Sequence, residues 1–285
     1  MMLRLLFLSF VNLFNSAQAF DFTSLLPFRT TPHINHKHPM THEHLETARL
    51  CQLVYDDEYL HNSERFVDSP STDVQCAMSV KGSKLFVVFR GSDHETDWAH
   101  NFNANLVEYP KKSKSEFHAG FLVQWLSVRD EVKKKVHEMI ELKKDIDTVI
   151  FAGHSAGSPP ACLCAKELGL NSENYTLKIF TFGSPRFSNT VFKTDFETDF
   201  ECTRIVLDRD VVTRFPLKFY NGYAHVGSPL QLREDHVVER ESTYFEAIQW
   251  LLLGIPKLDL GIRDHDIGNY VEKIKQFLDK DKKVD

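Results

Sequence analysis

"DTVIFAGHSAGSPPACLCAKELG", residues 147–169, passes from an apolar, β-rich run through Gly153-His154-Ser155-Ala156-Gly157 into a second apolar run closed by Gly169. The first run has the length and composition of a buried strand, and the second reads as a helix that stops at its glycine. A serine on so sharp a strand-to-helix turn needs a strained backbone, and the residues two before and two after it come very close together. Glycines at 153 and 157 remove those clashes. The helix that follows directs its N-terminal N–H groups toward the serine, where negative charge develops in acyl transfer. Ser155 is therefore a candidate nucleophile, and the N–H of Ala156 a candidate oxyanion donor.

Pro159 and Pro160 sit where that helix should begin. A helix starting at Ala156 would place them near its fourth and fifth positions, each removing a hydrogen bond at a cost of up to about 3 kcal/mol. A helix starting near Ser158 puts both in the tolerated first turn. The second arrangement, or a tightened first turn, is the expectation.

Around this stretch, "KLFVVFRG" (84–91), "LKIFTFG" (177–183) and "TRIVLD" (203–208) read as further strands. A long helix in "GFLVQWLSVRDEVKKKVHEMIEL" (120–142) aligns Leu122, Trp125, Val128, Val132, Val136 and Ile140 on one face. Helical periodicity also runs from Thr41 to about Asp57. Strands alternating with helices predict an α/β fold, a mostly parallel central sheet flanked by helices on both faces. No repeat or linker divides the chain, so residues 20–285 read as a single domain.

The 285 residues carry a net charge of −6, and 42% of them are hydrophobic. That supports one sizeable core and gives no global field to attract nucleic acid. Arg4, the apolar run Leu5–Phe14 and the small-x-small pattern in "SAQAF" read residues 1–19 as a signal peptide cleaved after Ala19. The run is too short to span a bilayer, and so is "AIQWLLLGI" (247–255), so no transmembrane segment is expected and export of the mature chain is. Five cysteines, an odd number, do not make a disulfide framework, and Cys162 and Cys164 point in different directions on one helix. Asn174–Thr176 is a glycosylation sequon. His33, His36, His38, His42 and His44 lack the Cys or carboxylate partners of an established metal spacing, so neither a metal nor a cofactor is implied.

A serine nucleophile needs a base, and the base needs an acid to orient it. Downstream of Ser155 the bases available are His225, His236 and His265; Asp208 and Asp210 are the acids nearest a strand end. Four blocks then resemble the class 3 (fungal-type) lipase family, whose members share the α/β-hydrolase fold. They are "VVFRGSDHETDW" (87–98), "FHAGF" (117–121), "GHSAGS" (153–158) and "FTFGSPRFSN" (180–189), in the family's order, and the likeness spans about residues 45–275.

The resemblance implies that the acid is Asp210, since "RDVVTRFP" matches a D-x-V-x-x-x-P loop, and that the base is His265 in "RDHDIGNY". It also implies that Ser92 supplies the second oxyanion donor and that 92–102 forms a lid with Trp98 as a lid or pocket aromatic. Ser92 and Glu95 have capping-box spacing, so a short helix is expected there. The segment is acidic (Asp93, Glu95, Asp97) and its apolar face is narrow, which favours partly polar esters or short acyl chains. The activity expected is a secreted serine carboxylic-ester hydrolase acting on acylglycerols, possessing a Ser-Asp-His triad and meeting lipid at a lipid–water interface. A phospholipase or another esterase on the same scaffold, and an inactive lipase-like binding module, are the alternatives.

Overall fold

The computed structural model describes residues 39–61, 66–91, 105–170, 173–216, 222–239 and 263–281. Its centre is an eight-stranded sheet in the order β1-β2-β3-β6-β7-β9-β11-β12. The strands are β1 (Phe66–Ser69), β2 (Val74–Lys81), β3 (Lys84–Phe89), β6 (Thr148–His154), β7 (Thr176–Phe182), β9 (Glu201–Leu207), β11 (Ser228–Leu232) and β12 (Val237–Val238). The inner five, β3 through β11, pair in parallel, while β1, β2 and β12 extend the two sides antiparallel. The expected mostly parallel sheet is present.

Strand alternation sorts the core into two layers. Leu85, Val87 and Phe89 of β3, with Val149 and Phe151 of β6, face helices α3 (Ala119–Leu142) and α4 (Ser158–Glu167). Phe86 and Val88, with Ile150 and Ala152, face α1 (His42–Leu53) and α6 (Ile267–Asp281) on the other side. Every residue of β6 is buried, as expected of a central parallel strand. Along α3 the predicted face is buried through Val136; Met139 takes the last buried place and Ile140 packs at its margin.

Two features depart from the sequence reading. The helix expected from Thr41 to Asp57 ends at Leu53, and a separate short helix, α2, spans Asp57–His61. Asp56 causes the break: its Oδ1 accepts the backbone N–H groups of Glu58 (2.9 Å) and Tyr59 (3.2 Å), capping the second helix. A second, antiparallel sheet in the order β10-β8-β5-β4 was not foreseen. Its strands, β4 (Leu106–Glu108), β5 (Glu116–His118), β8 (Ser188–Asn189) and β10 (Tyr223–Ala224), are too short to print a period in the sequence. Among the described residues a further helix, α5 (Thr190–Asp199), follows β8 and is N-capped by Asn189.

All five cysteines are buried and unpaired. Asn174 of the sequon is exposed. No helix among the described residues is long and apolar enough to cross a membrane. The expected signal peptide and its cleavage site, and His33, His36 and His38, lie outside the described residues.

Candidate active site

Strand β6 runs to His154, and Ser155 follows with φ at +53°, a left-handed backbone that only a tightly constrained turn imposes on serine. A single 3-10 turn, Ser155–Gly157, precedes α4, which begins at Ser158. Pro159 and Pro160 therefore occupy the second and third helical positions, where no intrahelical N–H bond exists to lose. Both flanking glycines are sterically required. A Cβ on Gly153 would lie 2.2 Å from the Gly157 carbonyl oxygen, and one on Gly157 would lie 2.3 Å from that of Phe89. Ser158 donates its hydroxyl to the Gly153 carbonyl at 2.9 Å, locking the turn from inside.

Asp210 and His265 converge on this serine from separate loops. His265 Nε2 accepts from Ser155 Oγ at 2.7 Å, and its Nδ1–H donates to Asp210 Oδ2 at 2.8 Å. Asp210 is fully buried. Its Oδ1 accepts the Val212 N–H at 2.8 Å and its Oδ2 also accepts the Tyr270 hydroxyl at 2.5 Å, so the buried carboxylate has charge-stabilising partners on both oxygens. Tyr270 is held in the protonated, donating form by burial and by the adjacent Asp210 charge, which push its phenol well above the ordinary value. Just outside, Arg209 and Asp264, each the residue before a member of the array, form an ion pair at 2.7 Å.

The other candidates lie elsewhere. Strand β9 ends at Leu207, so Asp208 is one residue beyond it, where it faces Arg233 at 3.6 Å. His225 donates from Nε2 to the Thr213 carbonyl at 2.8 Å, and Thr213 in turn bonds the Asp210 carbonyl, so His225 braces the loop that carries Asp210. Burial, then the Arg204 and Arg186 charges, hold its imidazole neutral. His236 is half-buried and bonds Asp235. Ala156 directly follows Ser155 in the 3-10 turn. Ser92 and Trp98 lie outside the described residues.

Several neighbours of the array carried no recognised signal. Gly183, at φ +61°, lies beneath it: a Cβ there would be 2.9 Å from both Asp210 Oδ2 and His265 Cε1. A Cβ on Gly91 would lie 2.3 Å from Tyr55 Oη and 3.0 Å from Ser155 Cβ. Both glycines stand inside the family-like blocks "FTFGSPRFSN" and "VVFRGSDHETDW", but only the contact geometry gives them a role. Tyr55 and His154 lie near the same centre and had no motif to announce them.

A profile of the family described as "Lipase (class 3)" matches residues 86–220, which contain Ser155 and Asp210. Over that segment the chain is similar to the class 3 lipase family. Among similar proteins, the lipase of Rhizomucor miehei is 30% identical over 162 residues, covering 55% of this chain and 44% of that protein. A secreted mono- and diacylglycerol lipase of Malassezia globosa is 25% identical over 178 residues, covering 61% and 57%. The chain thus spans about half the length of the relatives it matches. In fold, it is similar to a triacylglycerol lipase whose catalytic centre is a serine-protease triad, with a TM-score of 0.63 at 24% identity, covering 71% of this chain and 86% of that one. His265 and Tyr270 lie beyond the matched family segment.

Proposed function

We propose that this protein is a secreted carboxylic-ester hydrolase of the class 3 lipase family, acting on acylglycerols. The observation that carries the reading is the placement of His265 between Ser155 Oγ at 2.7 Å and Asp210 Oδ2 at 2.8 Å. In the proposed reaction Ser155 Oγ attacks the ester carbonyl while its proton passes to His265 Nε2. His265 returns that proton to the departing alcohol oxygen as the bond to the acyl carbon breaks. Water then repeats the sequence on the acyl-serine, releasing the fatty acid and restoring the serine.

Asp210 holds the imidazole in the tautomer with its proton on Nδ1 and offsets the charge it gains. The oxyanion is assigned to the N–H of Ala156 and to Ser92; Gly153 and Gly157 permit the elbow, and Trp98 belongs to the lid. Export rests on the N-terminal charge and apolar pattern and on the secreted relative from Malassezia globosa. Residues 1–19 would be the leader and 20–285 the mature domain.

Turnover of p-nitrophenyl butyrate and labelling by a fluorophosphonate test the reading. Both are expected in wild type, and Ser155→Ala should abolish labelling and lower kcat by about four to six orders of magnitude. His265→Ala should come close to that loss. A wild-type chain that neither turns over nor labels would instead be a binding module. A glyceride and phospholipid chain-length series, with and without an emulsion, identifies the head group, and N-terminal sequencing of exported protein should begin at Phe20.

A further inference from the structure

His154 closes β6 and immediately precedes the nucleophile, yet its side chain turns toward the base. Its ring packs against that of His265, centroids 4.7 Å apart at 33°. Its Nε2 lies 2.7 Å from the backbone carbonyl oxygen of His265, and its Nδ1 lies 2.7 Å from Tyr55 Oη. A carbonyl only accepts, so the His154 proton is on Nε2, and Nδ1 must accept from the tyrosine. Both nitrogens are committed, one tautomer is imposed, and His154 has no lone pair left to compete with His265 for the serine proton.

Tyr55 is itself anchored. It lies in the break between α1 and α2 that Asp56 creates, with the Arg90 guanidinium 5.4 Å from its ring centroid. Arg90 bonds Asp57 at 3.0 Å and Gln75 at 2.6 Å. The bare Cα of Gly91 leaves the tyrosine hydroxyl room to reach the histidine. A chain of contacts therefore runs from the N-terminal helices, outside the matched family segment, to the backbone of the base.

We propose that Tyr55 and His154 form a positioning pair that fixes the His265 backbone through its carbonyl. The inference rests on the hydrolase reading of the Ser155–His265–Asp210 array. The Asp210 bond orients the His265 ring from Nδ1, but the bond at Nε2 breaks and re-forms during turnover as the proton moves. The His154 bond is to the main chain and persists through both steps, so the ring returns to the same place between proton transfers. Burial, and then the nearby His265, hold the His154 imidazole well below the ordinary histidine value, so its acceptor nitrogen stays free for Tyr55.

The test uses the full chain with His154→Leu, His154→Gln and Tyr55→Phe, each normalised to the sites a fluorophosphonate titrates. His154→Leu should lower kcat by about 10- to 100-fold with KM changed less than about twofold. The Gln amide can still donate to the carbonyl, so His154→Gln should recover at least about fivefold of that loss. Tyr55→Phe should lose about three- to tenfold. In the proton NMR spectrum, the downfield Nδ1 proton of His265, bonded to Asp210, should broaden in His154→Leu and persist in His154→Gln.

Kcat within about twofold of wild type in His154→Leu, or no rescue by Gln, overturns the pairing. If wild type shows no turnover and no labelling, the hydrolase reading is what has failed. The NMR signal then decides the positioning alone, and its persistence in His154→Leu overturns it.

Discussion

Tyr270 donates its hydroxyl to Asp210 Oδ2, the oxygen that also receives the Nδ1–H of His265. The same hydroxyl accepts the Leu207 N–H at 3.2 Å, tying the last residue of β9 to the first turns of α6. Tyr270→Phe removes both bonds inside a closed core and leaves a buried N–H and a buried carboxylate oxygen each short of a partner. A loss of about 1–3 kcal/mol in unfolding free energy is expected, read from a denaturant midpoint. Asp210 keeps its Val212 bond and its His265 bond, so kcat should fall only about three- to tenfold with KM unchanged, roughly 1 kcal/mol of activation free energy. A loss as large as that of Asp210→Ala would mean that Tyr270 does more than hold the carboxylate.

Gly183 separates local strain from damage to the array. Gly183→Ala combines a left-handed φ of +61° with a Cβ that would meet both Asp210 and His265, so the pair must move. A displacement approaching 1 Å costs about 100-fold, and kcat of the folded fraction should fall by at least that. Gly82, in the β2–β3 turn, has nearly the same φ, +59°, with nothing within 4 Å of its missing Cβ. Gly82→Ala should cost about 1 kcal/mol of stability and leave kcat intact. Equal losses of kcat in the two variants would refute the steric role of Gly183.

The elbow was legible because three signals coincide within 23 residues: a mostly apolar strand, glycines flanking a serine, and a helix with a glycine stop. Long elements such as β6 and α3 print their period, and their alternation predicts a mostly parallel sheet without fixing its strand order. Asp210 and His265 were reached through resemblance, since three histidines and two aspartates were chemically eligible and spacing alone did not choose among them. What stayed hidden depends on contacts between distant segments. Tyr55 and His154 are 99 residues apart, and nothing local to Tyr55 indicates its partner. The split between α1 and α2 was missed because the apolar period continues across Asp56, while the capping bonds that interrupt it come from one carboxylate.

His44 gives the fold a pH dependence that its sequence context disguises. It occupies the third position of α1, where capping boxes usually carry Glu or Gln, and its Nδ1 accepts the Thr41 N–H at 3.0 Å. Burial, partly offset by Glu43, lowers its pKa to about 4. Between pH 6.5 and 4 the unfolded chain binds a proton that the folded chain refuses, so stability falls as pH drops through that window. The contribution amounts to up to about 3 kcal/mol. Buried His154 and His225, also held neutral, act in the same direction. His44→Gln, which retains the cap without the titration, should flatten part of the slope in melts recorded from pH 7 to 4. An unchanged slope would exclude His44 as its source.

Pro159 and Pro160 complete the account of the elbow. At the second and third positions of α4 they remove N–H groups that have no helical acceptor, and their fixed φ suits the first turn. Replacing either with alanine frees the unfolded chain and trims a buried ring, and both effects reduce stability. Each single substitution should therefore cost about 0.5–1 kcal/mol, and the double variant about the sum, with kcat per titrated site unaltered. Had the prolines been forced into the helix interior, the same substitutions would restore lost hydrogen bonds and raise the melting temperature. A stabilised double variant would thus show that α4 begins earlier than Ser158 in solution, and that Ser155 is held by a strained helix instead of a relaxed one.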